Sequence, residues 1–227
     1  MQLNGGTMAI KVVSIAGTPV DTRMGADFLR KKDPSLKVYE FNMSANPVEQ
    51  TMFQFGSEES KRARMNEVFD GLEKQGIRNF FIYCNSLSGA FDFDSFAVER
   101  GVSIITPFQV YRSIAGRYKH IAFNAANLLG AYGIEKAFRD VKPDIDMIGM
   151  GHLAIVLDIE AGYSPEEIIE RQGLKELGVF FKKAGAEVWV LGCTHFPYLK
   201  EALQKQIELP LIDPADEMYE LLMKGAK

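Results

Sequence analysis

Cysteine is scarce in this sequence: only Cys84 and Cys193 occur among 227 residues. Two cysteines are too few for a disulfide framework, and a reducing compartment would keep both as thiols. Long apolar runs are also missing, since no stretch approaches the ~20 residues of a membrane span. The N-terminal residues have neither the basic start nor the apolar core of a signal peptide. We therefore expect a cytoplasmic protein with no membrane partner.

The sequence has no excess of positive charge that would indicate a polyanionic partner. The chain has 26 Lys and Arg against 30 Asp and Glu, a formal net charge of -4, and no basic run, so we expect no nucleic-acid partner. Neither GxGxxG nor GxxxxGK[ST] occurs, which leaves nucleotide binding without support. Cys193 and His195 could join His120 or His152 in a zinc site, but no CxxC or HxxxH pair is present. We expect no metal site.

The sequence does contain eight short apolar runs, separated mostly by amphipathic stretches. One such stretch, 60–76, places Met65, Val68, Phe69 and Leu72 at helical spacing. Continuous apolar runs are typical of parallel strands that are buried on both faces and joined by helical crossovers. The pattern predicts an α/β fold with strands at 11–17, 36–41, 78–84, 102–107, 120–125, 146–150, 187–193 and 209–213.

A weak internal repeat divides the chain into two halves. Segments 78–96 and 186–203 both run from a polar start through an apolar strand to a cysteine, two polar residues and a helical pattern. We predict two pseudo-symmetric α/β domains, each with a mainly parallel central sheet flanked by helices, and an active site between them. The predicted first domain comprises residues 1–99 with a returning segment 208–227, and the second comprises 100–207.

Each cysteine permits two interpretations. At the carboxyl end of a parallel strand, before a helix, a thiol lies where open α/β sheets place their sites and where helix N–H groups favour the thiolate. Asn85-Ser86 and Thr194-His195 add side-chain donors that suit the carboxylate of an amino acid. A free cysteine that ends an apolar strand is, however, more often part of the core. Because the two cysteines have matching sequence contexts, the pattern favours a catalytic role over a core role for them, but it does not decide between the two.

Five segments resemble the motifs of the aspartate/glutamate racemase superfamily. GCTHFPYL (192–199) resembles its second catalytic motif, usually written GCTHYP, and YCNSLSGA (83–90) resembles the first, ACNTASA. VDTRMGADFL (20–29) is similar to DSGVGG, and FQFGSEES (53–60) is similar to PYGEKS. LAIVLDIEAG (153–162) resembles the strand that ends in VEEG. All five occur in the superfamily's order, so the resemblance covers most of the chain.

Several positions depart from the superfamily pattern. Arg23 and Ala26 replace glycines of DSGVGG, which predicts a more crowded loop over the substrate. Phe55 replaces a tyrosine, and where glutamate racemases have IGVLAT this chain has IAFNAAN, with Asn124 or Asn127 in place of a threonine. These differences concern the substrate pocket rather than the thiol pair.

The resemblance implies racemisation without a cofactor. Inverting a stereocentre by proton exchange requires a base on one face of Cα and an acid on the other, and a modestly lowered thiol pKa would provide a thiolate at neutral pH. The resemblance assigns the catalytic roles to Cys84, Cys193, Asp21, His195 and Glu160. It assigns substrate binding to Thr22, Phe55, Gly56, Asn85, Ser86, Thr194, Asn124 and Asn127.

Some of these residues also have plainer interpretations. Asp21 could cap a helix that starts near Met24, Glu160 could be a solvated loop carboxylate, His195 could bond backbone at a helix start, and Phe55 could be a core residue.

The implied function is racemisation of an acidic amino acid, either glutamate or aspartate. D-Glutamate for cell-wall synthesis is one physiological product that this implies. The alternatives are a hydantoin-type racemase, a broad-specificity amino-acid racemase, a maleate-type isomerase and a non-catalytic protein that binds amino acids. Dimers are common in the superfamily, so a homodimer is one expected assembly.

Overall fold

The computed structural model describes residues 9–226, and the expectation about a signal peptide falls mostly on residues outside this range. The strands are β1 (Lys11–Ala16), β2 (Lys37–Asn42), β3 (Asn79–Ile82), β4 (Ser103–Ile105), β5 (His120–Ala125), β6 (Asp146–Gly151), β7 (Val188–Gly192) and β8 (Leu211–Ile212). The first helices are α1 (Pro19–Lys32), α2 (Pro47–Gln54), α3 (Glu58–Glu73), α4 (Asn85–Ala90), α5 (Phe93–Arg100) and α6 (Pro107–Ile114). The others are α7 (Leu128–Arg139), α8 (Leu153–Glu160), α9 (Pro165–Arg171), α10 (Leu174–Lys183), α11 (Pro197–Gln204) and α12 (Ala215–Gly225).

The strands form two four-stranded parallel sheets of the same topology. The order is β2-β1-β3-β4 in the first sheet and β6-β5-β7-β8 in the second. This confirms the predicted pair of pseudo-symmetric α/β units, and each of the eight predicted strands is present. Equivalent strands of the two units are β1 and β5, and β3 and β7.

Strand pairing assigns two strands to units other than those that the predicted domain bounds imply. The predicted domains, 1–99 plus 208–227 and 100–207, remain a prediction. However, β4 pairs with β3 of the first sheet although it follows residue 99, and β8 pairs with β7 of the second although it follows residue 208. Helix α12 then packs against β3, β4 and α6, so the chain does return to its first unit.

The two units pack closely against each other. One apolar core contains side chains from both sheets, among them Phe80 of β3 and Phe123 of β5. Helices α4 and α7 pack together, and a Cβ on Gly133 would lie only 3.1 Å from the Cα of Gly89. The small residues let these two helices approach, which brings the carboxyl ends of β3 and β5 to the same cleft.

The segment that resembles a strand ending in VEEG is a helix. Residues 153–160 form α8, with Ile155 and Val156 buried and Leu153 and Leu157 half exposed. A short apolar run is consistent with either a buried strand or a buried helix, and here the spacing of the exposed positions is helical. Within residues 9–226, the longest and most apolar helices still fall short of what would be required to cross a bilayer.

Candidate active site

A cleft of about 620 Å³ lies at the carboxyl ends of the two sheets. Its walls come from the segments after β1, β3, β5 and β7 and from helices α2 and α8. Cys84 follows β3 and Cys193 follows β7, the equivalent strand of the other unit, and both thiols line this cleft. The two sulfur-bearing residues are buried, at 5% and 7% exposure.

Most residues assigned by resemblance converge on this cleft. Besides the two cysteines, its lining includes Asp21, Phe55, Asn85, Ser86, Asn127, Glu160, Thr194 and His195. Thr22, Gly56 and Asn124 do not line it. Within residues 9–226, no group of three His, Cys, Asp or Glu side chains is placed to hold a metal ion.

Polar groups surround Cys84, which is the N-cap residue of α4. Its Sγ lies 3.4 Å from Ser86 Oγ, and Gln50 Nε2 donates to it from 3.8 Å. Burial, together with the nearby Asp21 carboxylate, raises the pKa of Cys84 to about 11, although hydrogen bonds to the sulfur stabilise the thiolate.

Cys193 lies at one end of a chain of three groups. Its Sγ is 3.7 Å from Nδ1 of His195, and Nε2 of the same ring is 3.3 Å from Oε1 of Glu160. His195 is buried and Glu160 is partly exposed. Burial raises the pKa of the Cys193 thiol, with smaller increases from the charges of Cys84, Asp21 and Glu160. Glu160 is therefore not a solvated loop carboxylate, because it ends α8 and contacts the ring.

The predicted acidification of the thiols is wrong in direction. A helix N-terminus beside each cysteine would favour the thiolate, but α11 begins only at Pro197, beyond Cys193. For Cys84 the helix is present, yet enclosure of the sulfur has the larger effect on its pKa.

Asp21 has a structural role that the sequence analysis did not foresee. It is not an N-cap near Met24, because α1 begins at Pro19 and Asp21 is the third residue of that helix. Its carboxylate accepts hydrogen bonds from the backbone N–H groups of Gly17, Thr18 and Thr22. Asp21 thus holds the turn after β1, whose Gly17 N–H also stabilises the Cys84 thiolate. Burial raises the pKa of Asp21, and nearby His195 opposes that rise.

The segment 20–29 does not form a crowded loop over the substrate. It belongs to α1, where Arg23 is exposed and Ala26 is fully buried, and neither residue lines the cleft. Gly25, which the resembled motif retains, packs so tightly that a Cβ would lie 2.5 Å from Ser14 Oγ.

Three residues assigned to substrate binding lie elsewhere. Asn124 is buried in β5, and its Oδ1 accepts a 2.7 Å hydrogen bond from Trp189 Nε1, so it ties the second sheet together. Thr22 is buried in α1, and Gly56 lies in the turn between α2 and α3. Phe55, next to Gly56, is 74% exposed at the cleft and is not a core residue.

Two glutamines of α2 line the cleft and were missed from the sequence. Gln50 contacts Cys84, and Gln54 Nε2 donates to Ser86 Oγ at 2.8 Å. Gln54 Oε1 accepts from Asn127 Nδ2 at 3.4 Å, which links the two units across the cleft. Gln54 occupies the position of the proline in PYGEKS, so the resemblance indicated that this position lies near the substrate. For Gln50 the only indication was its place one helical turn before Gln54.

One buried amide group is left for a ligand. Asn85 Oδ1 accepts a 2.7 Å hydrogen bond from Tyr111 Oη, but its buried Nδ2 has no hydrogen-bond partner among residues 9–226. Asn85 lines the cleft next to Cys84. An orphaned buried donor is costly, and a carboxylate oxygen would satisfy it.

Comparison with curated proteins gives relatives of similar sequence. A scan against models of protein families finds no match. Glutamate racemase 3 of Caldanaerobacter subterraneus is 24% identical over 175 residues, which is 71% of this chain and 60% of that protein. The chain thus matches less than two thirds of this relative's length. The chain is similar in sequence to glutamate racemases.

Solved structures of two racemases show the same fold. The glutamate racemase of Francisella tularensis, solved with D-glutamate, has a TM-score of 0.72 at 18% identity, covering 96% of this chain and 82% of its own. The allantoin racemase of Klebsiella pneumoniae has a TM-score of 0.61 at 13% identity, covering 95% of this chain and 87% of its own. At these identities the likeness establishes the fold alone.

Proposed function

We propose that this protein racemises an α-amino acid by proton exchange between Cys84 and Cys193, without a cofactor. One observation carries the proposal: the two thiols follow equivalent strands of two pseudo-symmetric units and line one cleft. The thiolate of one cysteine takes the Cα proton and becomes a thiol. The thiol of the other gives its proton to the opposite face and becomes the thiolate. The reverse reaction uses the same two residues with their roles exchanged.

Electrostatic coupling between the thiols supports this cycle. The charge of Cys84 raises the pKa of Cys193, so two thiolates together are disfavoured. The ionised form that the site tolerates best has one thiolate and one thiol, which is the form that inversion requires.

The remaining polar groups support binding of the α-substituents. The free Nδ2 of Asn85, together with the hydroxyls of Ser86 and Thr194, suits the α-carboxylate. The carboxylates of Asp21 and Glu160 suit the α-ammonium group. That cation would lower the pKa of both buried thiols, which offsets the rise caused by burial.

The motif resemblance and the similarity to glutamate racemases point to glutamate, with aspartate as the related choice. The chemistry at Cα requires only the α-carboxylate, the α-ammonium group and the hydrogen. A cytoplasmic location and a homodimer belong to the same proposal, and D-glutamate for the cell wall is the product that glutamate as substrate would give.

Incubation with L-amino acids in D2O tests the proposed reaction. We expect loss of the Cα proton signal in NMR and appearance of the D-enantiomer in chiral chromatography for at least one of glutamate, aspartate, leucine and phenylalanine. A protein that racemises none of them would contradict the proposal. If allantoin or another 5-substituted hydantoin lost its ring-carbon hydrogen instead, a hydantoin racemase would replace it.

A further inference from the structure

Among residues 9–226, the cleft has no lysine or arginine that could pair with a second carboxylate. Asp21 and Glu160 are its carboxylate residues and His195 its only ring base, and no lysine or arginine is part of the lining among residues 9–226. Lys61, a buried lysine of α3, lines a neighbouring cavity of about 520 Å³, which shares Gln54 and Leu129 with the cleft, and it pairs there with Glu58. A side-chain carboxylate in the main cleft would face two like charges, and burying it without a partner is costly.

The amide groups of the cleft are also largely committed. Gln54 uses its Nε2 on Ser86 and its Oε1 on Asn127, and the Oδ1 of Asn127 caps α7 by accepting from the N–H of Gly130. Gln50 donates to Cys84 and accepts from Ser44. Once the free amide of Asn85 binds the α-carboxylate, few side-chain donors are left for a second one.

Apolar side chains occupy the outer part of the cleft. Five of them, here called the apolar rim, come from both units and are 49% to 75% exposed: Val48, Phe55, Leu128, Leu153 and Leu157. Large apolar side chains seldom gather at one exposed place without a ligand or partner to cover them. A volume of about 620 Å³ is in the usual range for small-molecule sites.

We infer that the preferred substrate carries an apolar side chain, such as that of leucine, methionine or phenylalanine, which packs against the apolar rim. This inference rests on the proposed racemisation, and it replaces glutamate and aspartate as the preferred substrates. The α-carboxylate and α-ammonium group of the substrate lie between the thiols. The side chain of the substrate covers the apolar rim and so removes its surface from water.

A substrate panel in D2O tests the inference. We expect kcat/KM for Cα exchange to be higher for L-leucine and L-phenylalanine than for L-glutamate by about tenfold or more, because a hydrophobic pocket discriminates at that level. Glutamate or aspartate exchanging as well as leucine would overturn the inference while leaving racemisation intact. If no amino acid exchanged its Cα hydrogen, the proposed racemisation would be wrong. Calorimetric titration would then test the preference for an apolar side chain by itself. Tighter binding of leucine than of glutamate would support that preference, and tighter binding of glutamate would overturn it.

A rim variant gives a second, independent readout. Phe55→Lys places a cation at the C-terminal end of α2, where a helix dipole tolerates it. We expect it to shift the ratio of kcat/KM for glutamate over leucine upward by about tenfold. Val98→Lys is the matched control, because Val98 is 83% exposed on α5 and lines neither cavity. An equal shift in both variants, or in neither, would contradict the assignment of the rim.

Discussion

Serine in place of Cys84 is expected to lower racemisation by about 10²- to 10⁴-fold in both directions, the range for loss of a general acid or base. A serine hydroxyl ionises far less readily than a thiol, so this variant lacks one of the two proton carriers. Cys193→Ser should have an effect of the same size, because each direction of the reaction uses both residues. Enantiomer-specific polarimetry or chiral chromatography measures both directions.

The single variants should differ in what they retain. With one thiol left, we expect exchange of the Cα hydrogen in D2O for one enantiomer only, and for the opposite enantiomer in the other variant. Both sites are buried, so thermal unfolding must first show that each variant is folded. Near-normal racemisation by either folded variant would exclude the two-thiol mechanism.

Removing the ring beside Cys193 should have the second largest effect. Glutamine in place of His195 breaks the contacts from Cys193 Sγ to the ring and from the ring to Glu160 Oε1. We expect kcat/KM to fall by about 10²-fold at pH 7, the lower end of the range for general acid–base groups, because the ring no longer assists ionisation of the thiol.

The pH profile separates this role from a structural one. Since the pKa values of both thiols are raised, the wild-type kcat/KM should increase as the pH rises above 7. If His195 assists ionisation, His195→Gln should recover part of its loss at pH 10, where solvent can remove the proton. His120→Gln is the matched control, because His120 starts β5 at the opposite end of the sheet. A loss of equal size at every pH would indicate that His195 only supports the structure.

Hydrophobic pattern alone was sufficient to predict the eight strands, whereas their division between two units rested on the internal repeat. Runs such as 120–125 are apolar throughout because their strands are buried on both faces, and β5 matches that run at both ends. The place of Cys84 and Cys193 at strand ends followed from the same pattern. The prediction that both cysteines lie in one cleft depended on the repeat, because it places them after equivalent strands of two similar units.

Side-chain partners were less predictable because they depend on contacts distant in the sequence. Asp21 had a local signal for capping, but its helix begins two residues before it rather than three after it. Asn124 is a polar residue in a strand, and nothing near it in the sequence indicates that it bonds Trp189. The direction of the thiol pKa values depends on how completely the fold encloses each sulfur, which no motif records.

The position of hydrogen in the first products tests the two-thiol mechanism most directly. L-Leucine and, separately, L-glutamate are incubated with the protein in D2O, and the two enantiomers are separated at low conversion for mass spectrometry. Proton exchange between two cysteines predicts deuterium at Cα in the newly formed D-enantiomer and protium in the remaining L-enantiomer. Equal labelling of both enantiomers, or a D-enantiomer that keeps its protium, would show that a single base serves both faces.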